Sequence, residues 1–142
     1  MRQEQSVGVS GILIIDGRVL MLRRSENETE TGVWEFPKGK VEFGEDPKDA
    51  VVREFVEETG LRVKIDRLID ISSWTYRNRD GKEIHVVETV FGVKLEVDED
   101  TKDLQLSDEH DKWQMVDAAD VETLNPMVEA RRQLLIKALK SS

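Results

Sequence analysis

The sequence contains no cysteine, which excludes disulfides, thiolate metal sites and a cysteine nucleophile, and fits a reducing compartment. It also has no long apolar run. The stretch behind the polar start MRQEQ is short and broken by Gly8, Ser10 and Gly11, so neither a signal peptide nor a membrane span is expected and a cytoplasmic location is. Positive charge is scarce: 21 Lys and Arg stand against 30 Asp and Glu, a net charge of −9. That disfavours a nucleic acid polymer as partner, because its phosphates need cations. Small phosphate ligands are not disfavoured, since a divalent cation between carboxylate and phosphate reverses the local field. Internal repeats, low-complexity tracts and linkers are missing too, and 142 residues suit one domain over 1–142.

What is present is patterned. Val7 to Ile15 reads as an apolar strand, Asp16-Gly17 as a hairpin turn and Arg18 to Arg23 as the returning strand. Trp34 to Phe36 alternates as a short strand that Pro37 ends, and Lys38 to Glu45 reads as a loop. Arg62 to Tyr76 predicts one long or two short strands. Asp80-Gly81 turns the chain into a partner strand over Glu83 to Val97, bulged at Gly92. An acidic loop covers Asp98 to Asp111, followed by a short strand over Trp113 to Val116 and a turn or short helix over Asp117 to Leu124. Asn125-Pro126 carries a cap-then-proline signal for a terminal helix, whose apolar face is Met127, Ala130, Leu134, Leu135, Ala138 and Leu139. Strands followed by two covering helices make a mixed α/β sandwich.

The richest stretch is Gly39 to Leu61, GKVEFGEDPKDAVVREFVEETGL. Asp46 suits the N-cap of a helix, Pro47 its first position and Gly60 the left-handed residue after its end. At about 100° per residue, Glu54, Glu57 and Glu58 share one third of the circumference, while Val52, Phe55, Val56 and Thr59 face the core. Ala50 leaves room on the acidic side, and Arg53 sits at its edge. The like-charge pair Glu54 and Glu58 at i,i+4 is mildly unfavourable. A merely solvated face more often interleaves Lys. Such a face is one reading; the other is an oxygen-ligand site for a hard cation, which keeps positions open for water and phosphate, with Arg53 orienting the cluster.

Gly39, Glu45, Arg53, Glu54, Phe55, Glu57, Glu58, Gly60 and Leu61 resemble the Nudix box, which is Gly, five residues, Glu, seven residues, then Arg-Glu-U-x-Glu-Glu-x-Gly-U with U bulky and apolar. Phe55 is larger than the usual aliphatic residue at U. Trp34-Glu35-Phe36-Pro37 before the box and the closing strand and helix are similar to the MutT-like branch. The resemblance implies an α/β/α sandwich with a mixed sheet, and hydrolysis of a nucleoside diphosphate linked to another moiety with Mg²⁺ or Mn²⁺. It implies Glu54, Glu57, Glu58 and the Gly39 carbonyl as metal ligands, Glu54 also as an aid to water activation, and Glu45 as a structural or outer residue. Family members often draw a further carboxylate from a later loop; Glu109 is the candidate here and Asp111 the reserve.

Phosphate contacts are expected from Arg23, Arg24, Lys38 or Lys40. Pro37-Lys38-Gly39 resembles the diadenosine tetraphosphate hydrolase branch, as does the placing of Tyr76. Trp74 and Tyr76 alternate with Thr75, placed either to stack a base or to serve the sheet. Gly39-Lys40 is not a P-loop, because Val41 replaces Ser or Thr. His85 and His110 have no zinc-site spacing and read as structural, with His110 beside Glu109 at the pocket. The substrate expected is a small nucleotide, with a (deoxy)nucleoside triphosphate pyrophosphohydrolase as the main reading. A dinucleoside polyphosphate hydrolase and a non-catalytic nucleotide-binding module are the alternatives, on a monomer or homodimer.

Overall fold

The structure, a computed structural model, describes residues 2–97 and 101–141. Its elements are β1 (Gln3–Ile15), β2 (Arg18–Arg24), β3 (Trp34–Glu35), β4 (Lys38–Lys40), α1 (Pro47–Thr59), β5 (Val63–Arg77), β6 (Glu83–Leu95), β7 (His110–Val116) and α2 (Glu129–Lys140). β1 is the spine. It pairs antiparallel with β4 and parallel with β6 along most of its length, then turns at Asp16-Gly17 into β2. β5 flanks β6, while β3 and β7 flank β2, all antiparallel.

Alternation along these strands sorts the apolar residues into two cores, one per sheet face. Val9, Leu13, Leu20, Leu22, Phe91 and Val93 meet Ala50, Val51 and Phe55 of α1. Ile12, Val19, Met21 and Val90 meet Leu135 and Ala138 of α2, with Trp34 and Phe36 beside them. The result is the α/β/α sandwich with a mixed sheet. Among the described residues no helix is long and apolar enough to cross a membrane.

Helix α1 comes unusually close to β1 at Gly11, where an added Cβ would lie 2.2 Å from Phe55 Cε2 and 3.0 Å from Val51 Cγ2. Gly11→Ala is therefore expected to overpack this contact and lower stability by about 1–3 kcal/mol. The midpoint of urea unfolding should fall at unchanged slope. An unchanged midpoint would show that the helix yields freely.

Several sequence expectations need correcting. Lys38 to Lys40 is a strand, because Gly8 to Ser10 of β1 supplies its partner. β1 starts four residues earlier than expected, since the polar Gln3 to Ser6 find partners in Glu83 to Val86. The bulging lies in β5, between Ile65 and Arg67 and again between Leu68 and Asp70, with Gly92 paired to Arg67 between them. The acidic loop yields to β7 at His110, and its first residues, Asp98, Glu99 and Asp100, lie outside the described residues. α2 begins at Glu129, behind Val128 rather than a polar cap. Asn125, before a cis peptide to Pro126, instead accepts from Arg132 at 2.7 Å, and that buried guanidinium also binds the carbonyls of Val121 and Leu124. Ala130 is exposed and Ala50 buried. Val56 is 47% exposed, so the core face of α1 is centred on Val51 and Phe55.

Candidate active site

The punctuation of α1 is as the sequence reads. Asp46 accepts from the Lys48 N–H at 2.8 Å, Pro47 opens the helix and Gly60 closes it at φ 74°. Its last turn holds no basic residue, although Glu57 and Glu58 sit at the negative end of the helix dipole, where cations are favoured. Two terminal carbonyls are taken up by the segment before β7: the Gln105 N–H donates to Thr59 and the Ser107 N–H to Glu58. Ser25 fixes the next part of that segment, donating its N–H to Glu109 at 2.9 Å and its hydroxyl to Asp108 at 2.7 Å. Glu109 and His110 are thereby brought to the end of α1.

Arg53 is the hub of the acidic face. It donates to both carboxylate oxygens of Glu45 at 2.9 and 3.0 Å, to Glu54 at 2.9 Å, to Glu57 at 3.2 Å and to the Lys40 carbonyl at 3.0 Å. Glu45, first among these partners, raises the guanidinium pKa further above its ordinary range. In return Arg53, with the Glu42 backbone, holds the Glu45 carboxyl down to about 2. Glu54 goes the other way. Burial raises its pKa, against the neighbouring Arg53. Its carboxylate lies over Gly39, where an added Cβ would sit 2.1 Å from Glu54 Cδ.

Glu58 is the unusual group. It is 2% exposed, and among the described residues no N–H or O–H group donates to either of its oxygens. Burial, then a contact with the Glu54 carboxyl that favours a proton on Glu58, and the negative charge of Glu54, Glu109 and Glu35, push it up to about 10. A buried carboxylate without donors needs a proton or a cation. Beside it, His110 is also buried, with Nδ1 unpartnered among the described residues and 3.8 Å from Glu58 Oε1. One ligand atom each from Glu58, Glu109 and His110 lie within 4.8 Å of one another, a group able to hold a metal ion.

Glu35 reads from the sequence only as part of a short strand and of the Trp34-Glu35-Phe36-Pro37 likeness, outside the expected site residues, and proves central. It is 1% exposed, 2.9 Å from His110 Nε2, 3.1 Å from Arg24 and 3.5 Å from Lys38. Burial alone would raise its carboxyl; His110, Lys38, Arg24 and Arg131 overcome that and hold it at about 2. The signal was available in Trp34-Glu35-Phe36, where alternation sets an acid opposite two core aromatics.

The structure thus gathers Gly39, Glu45, Arg53, Glu54, Glu57, Glu58 and Glu109. Of the two loop acids Glu109 joins the cluster, whereas Asp111 is bonded to Arg23 at 2.8 Å. The expected phosphate contacts Arg23, Arg24 and Lys38 all have carboxylate partners already; Lys40 is exposed at the end of β4. Trp74 and Tyr76 are not brought to the carboxylates. They lie half-exposed on edge strand β5, three strand spacings or about 14 Å from β4. Their register with Val86 and Ile84 puts them on the sheet face opposite α1, the same face as Ser10, Lys38 and Lys40.

The comparisons with known proteins agree with this geometry. A family model described as NUDIX domain matches residues 4–138. A MutT-like protein of Streptomyces ambofaciens is 44% identical over 73 residues, 51% of this chain and 45% of that protein. An ADP-ribose pyrophosphatase of Methanocaldococcus jannaschii is 36% identical over 108 residues, 72% of this chain and 62% of that protein. The chain therefore spans between 45% and 62% of the length of these two relatives. The crystal structure of a MutT NUDIX hydrolase from Burkholderia pseudomallei superposes with a TM-score of 0.74 at 26% identity, covering 94% of this chain and 97% of that one. With the box intact on α1 and the family match running almost from end to end, the chain belongs to the Nudix family, and within it to the MutT-like proteins.

Proposed function

We propose that this chain is a divalent-metal-dependent pyrophosphohydrolase, in which water attacks a phosphorus of a small nucleotide and opens a phosphoanhydride bond. The observation that carries the reading is Glu58: two buried carboxylate oxygens without a donor among the described residues, set among Glu54, Glu109 and Glu35. Glu54, Glu57, Glu58 and the Gly39 carbonyl would hold the cation, Mg²⁺ or Mn²⁺, with Glu109 from the later loop. When bound, such a cation supplies positive charge against the phosphate oxygens and acidifies the attacking water. Arg53 fixes Glu54 and Glu57 in place and keeps Glu45 ionised. Burial raises the proton affinity of Glu54, which suits it to take the proton that the attacking water gives up.

Substrates are (deoxy)nucleoside triphosphates or related nucleoside diphosphate derivatives. The pyrophosphatase name of the Methanocaldococcus relative supports the bond type. Lys40, exposed at the end of β4, is offered as a phosphate contact, and Trp74 and Tyr76 as base-stacking groups, for a nucleotide that extends past the β4 edge to the sheet face opposite α1. The dinucleoside polyphosphate alternative loses weight because the Lys38 ammonium sits 3.5 Å from Glu35. We place this domain's action in the cytoplasm, on small nucleotides rather than a nucleic acid polymer or a membrane. A nucleotide panel with product identification in ¹⁸O-water tests this. A monophosphate and pyrophosphate, or two monophosphates, with one ¹⁸O incorporated, are expected. Nucleotide binding without hydrolysis of any member would overturn the reading in favour of a binding module.

A further inference from the structure

His110 is the one imidazole in contact with the carboxylate cluster, and its two nitrogens stand in different surroundings. Nε2 lies 2.9 Å from a Glu35 carboxylate oxygen. Glu35 also receives Arg24 and faces Lys38, so it is an acceptor and Nε2–H is the donor. In the neutral imidazole, the form that binds a metal, that fixes the tautomer and leaves a lone pair on Nδ1. Among the described residues Nδ1 is enclosed without a hydrogen-bond partner and lies 3.8 Å from Glu58, whose own oxygens receive no N–H or O–H donor there. A carboxylate that orients a histidine so that its other nitrogen meets a cluster of carboxylates is the arrangement by which proteins prepare an imidazole to bind a metal.

We propose that His110 Nδ1 is a nitrogen ligand to the cation held by Glu58 and Glu109, and that it gives this centre a preference for nitrogen-binding ions such as Co²⁺ or Zn²⁺ over Mg²⁺. The inference rests on the assignment of Glu58 as a metal ligand. The 3.8 Å between Nδ1 and Glu58 Oε1 is within the roughly 4.2 Å that two ligands on opposite sides of one ion can span. Glu109, exposed at the mouth of the cluster, closes the set from the solvent side. Carboxylates alone suit Mg²⁺, whereas an imidazole shifts the order toward later transition metals. The sequence spacing hid this, because Glu58 and His110 are far apart in the chain and Glu35 is farther still.

Mn²⁺ is the probe. The chain has two histidines; His85 lines a separate groove with Gln3, Gln5 and Thr75. Pulsed electron paramagnetic resonance of Mn²⁺ on the whole protein should show a ¹⁴N coupling that changes to a ¹⁵N pattern when only histidine is ¹⁵N-labelled. The coupling should persist in His85→Gln and vanish in His110→Gln. The same variant should lose about ten-fold or more in Co²⁺ affinity, with Mg²⁺ affinity within about two-fold of the parent. Bound Mn²⁺ without histidine coupling overturns this inference and leaves the carboxylate site standing. Failure of the parent protein to hold Mn²⁺ overturns both. The labelled parent decides the matter even if His110→Gln does not fold.

Discussion

Replacing Glu58 with Gln is expected to cut turnover by about two to three orders of magnitude, the scale of losing one charge contact to a transition state, while removing a pH-dependent weakness from the metal-free fold. Both effects have one cause. In the unfolded chain this carboxyl titrates near its ordinary value of 4.5, whereas in the fold burial and the acids around it push it up to about 10. Between those values the folded state binds a proton that the unfolded state does not. Stability of the metal-free protein therefore falls as pH rises through this window, by about 1.4 kcal/mol per pH unit, and the loss reaches about 3 kcal/mol by pH 7. Glu58→Gln does not titrate, so the slope should largely disappear in chelator. Added Mg²⁺ or Mn²⁺ should restore the parent, by about 2.7 kcal/mol at a hundred times the dissociation constant, and leave the variant unmoved. Denaturation midpoints from pH 5 to 9, with and without metal, measure all of this. An equal slope in the variant, or an equal metal response, would remove Glu58 from the centre.

The same residue shows what was legible in the sequence. Helix α1 could be read almost to the residue, because Asp46, Pro47 and Gly60 act locally. Its acidic face could be read too, from spacing. The burial of Glu58 could not. It depends on the segment from Gln105 to His110 folding back onto the end of the helix, and no short-range pattern carries that return. Lys38 to Lys40 was misread for a similar reason: Lys-Gly-Lys has no strand character of its own and is held by β1. Asn125-Pro126 shows the converse, a strong local signal overridden when a buried Arg132 claims the asparagine side chain. Local punctuation survives wherever no distant group competes for the same atoms.

Gly39→Ala is the sharpest test of how β4 and α1 fit together. The pairing of Gly39 with Val9 turns its α-hydrogen toward the helix, and a Cβ in that direction would stand 2.1 Å from Glu54 Cδ and 2.2 Å from Oε1. A flexible side chain could move aside cheaply. Glu54 is held by Arg53 at 2.9 Å, and Arg53 is itself tied to Glu45, Glu57 and the Lys40 carbonyl, so displacement spreads through the cluster. A shift of about 1 Å in a reacting constellation is enough to lose about 10²-fold, and that is the fall in kcat expected for Gly39→Ala, with weakened metal affinity. Gly8, paired to Lys40 on the opposite strand, supplies the control. Its added Cβ would meet nothing nearer than the Gly39 carbonyl oxygen at 3.6 Å, an ordinary contact, so Gly8→Ala should stay within a few-fold of the parent. If both alanines lose activity alike, strand disruption rather than the Glu54 carboxylate is the cause. If Gly39→Ala keeps the parent kcat and metal affinity, Glu54 acts from a position other than the one it holds over Gly39.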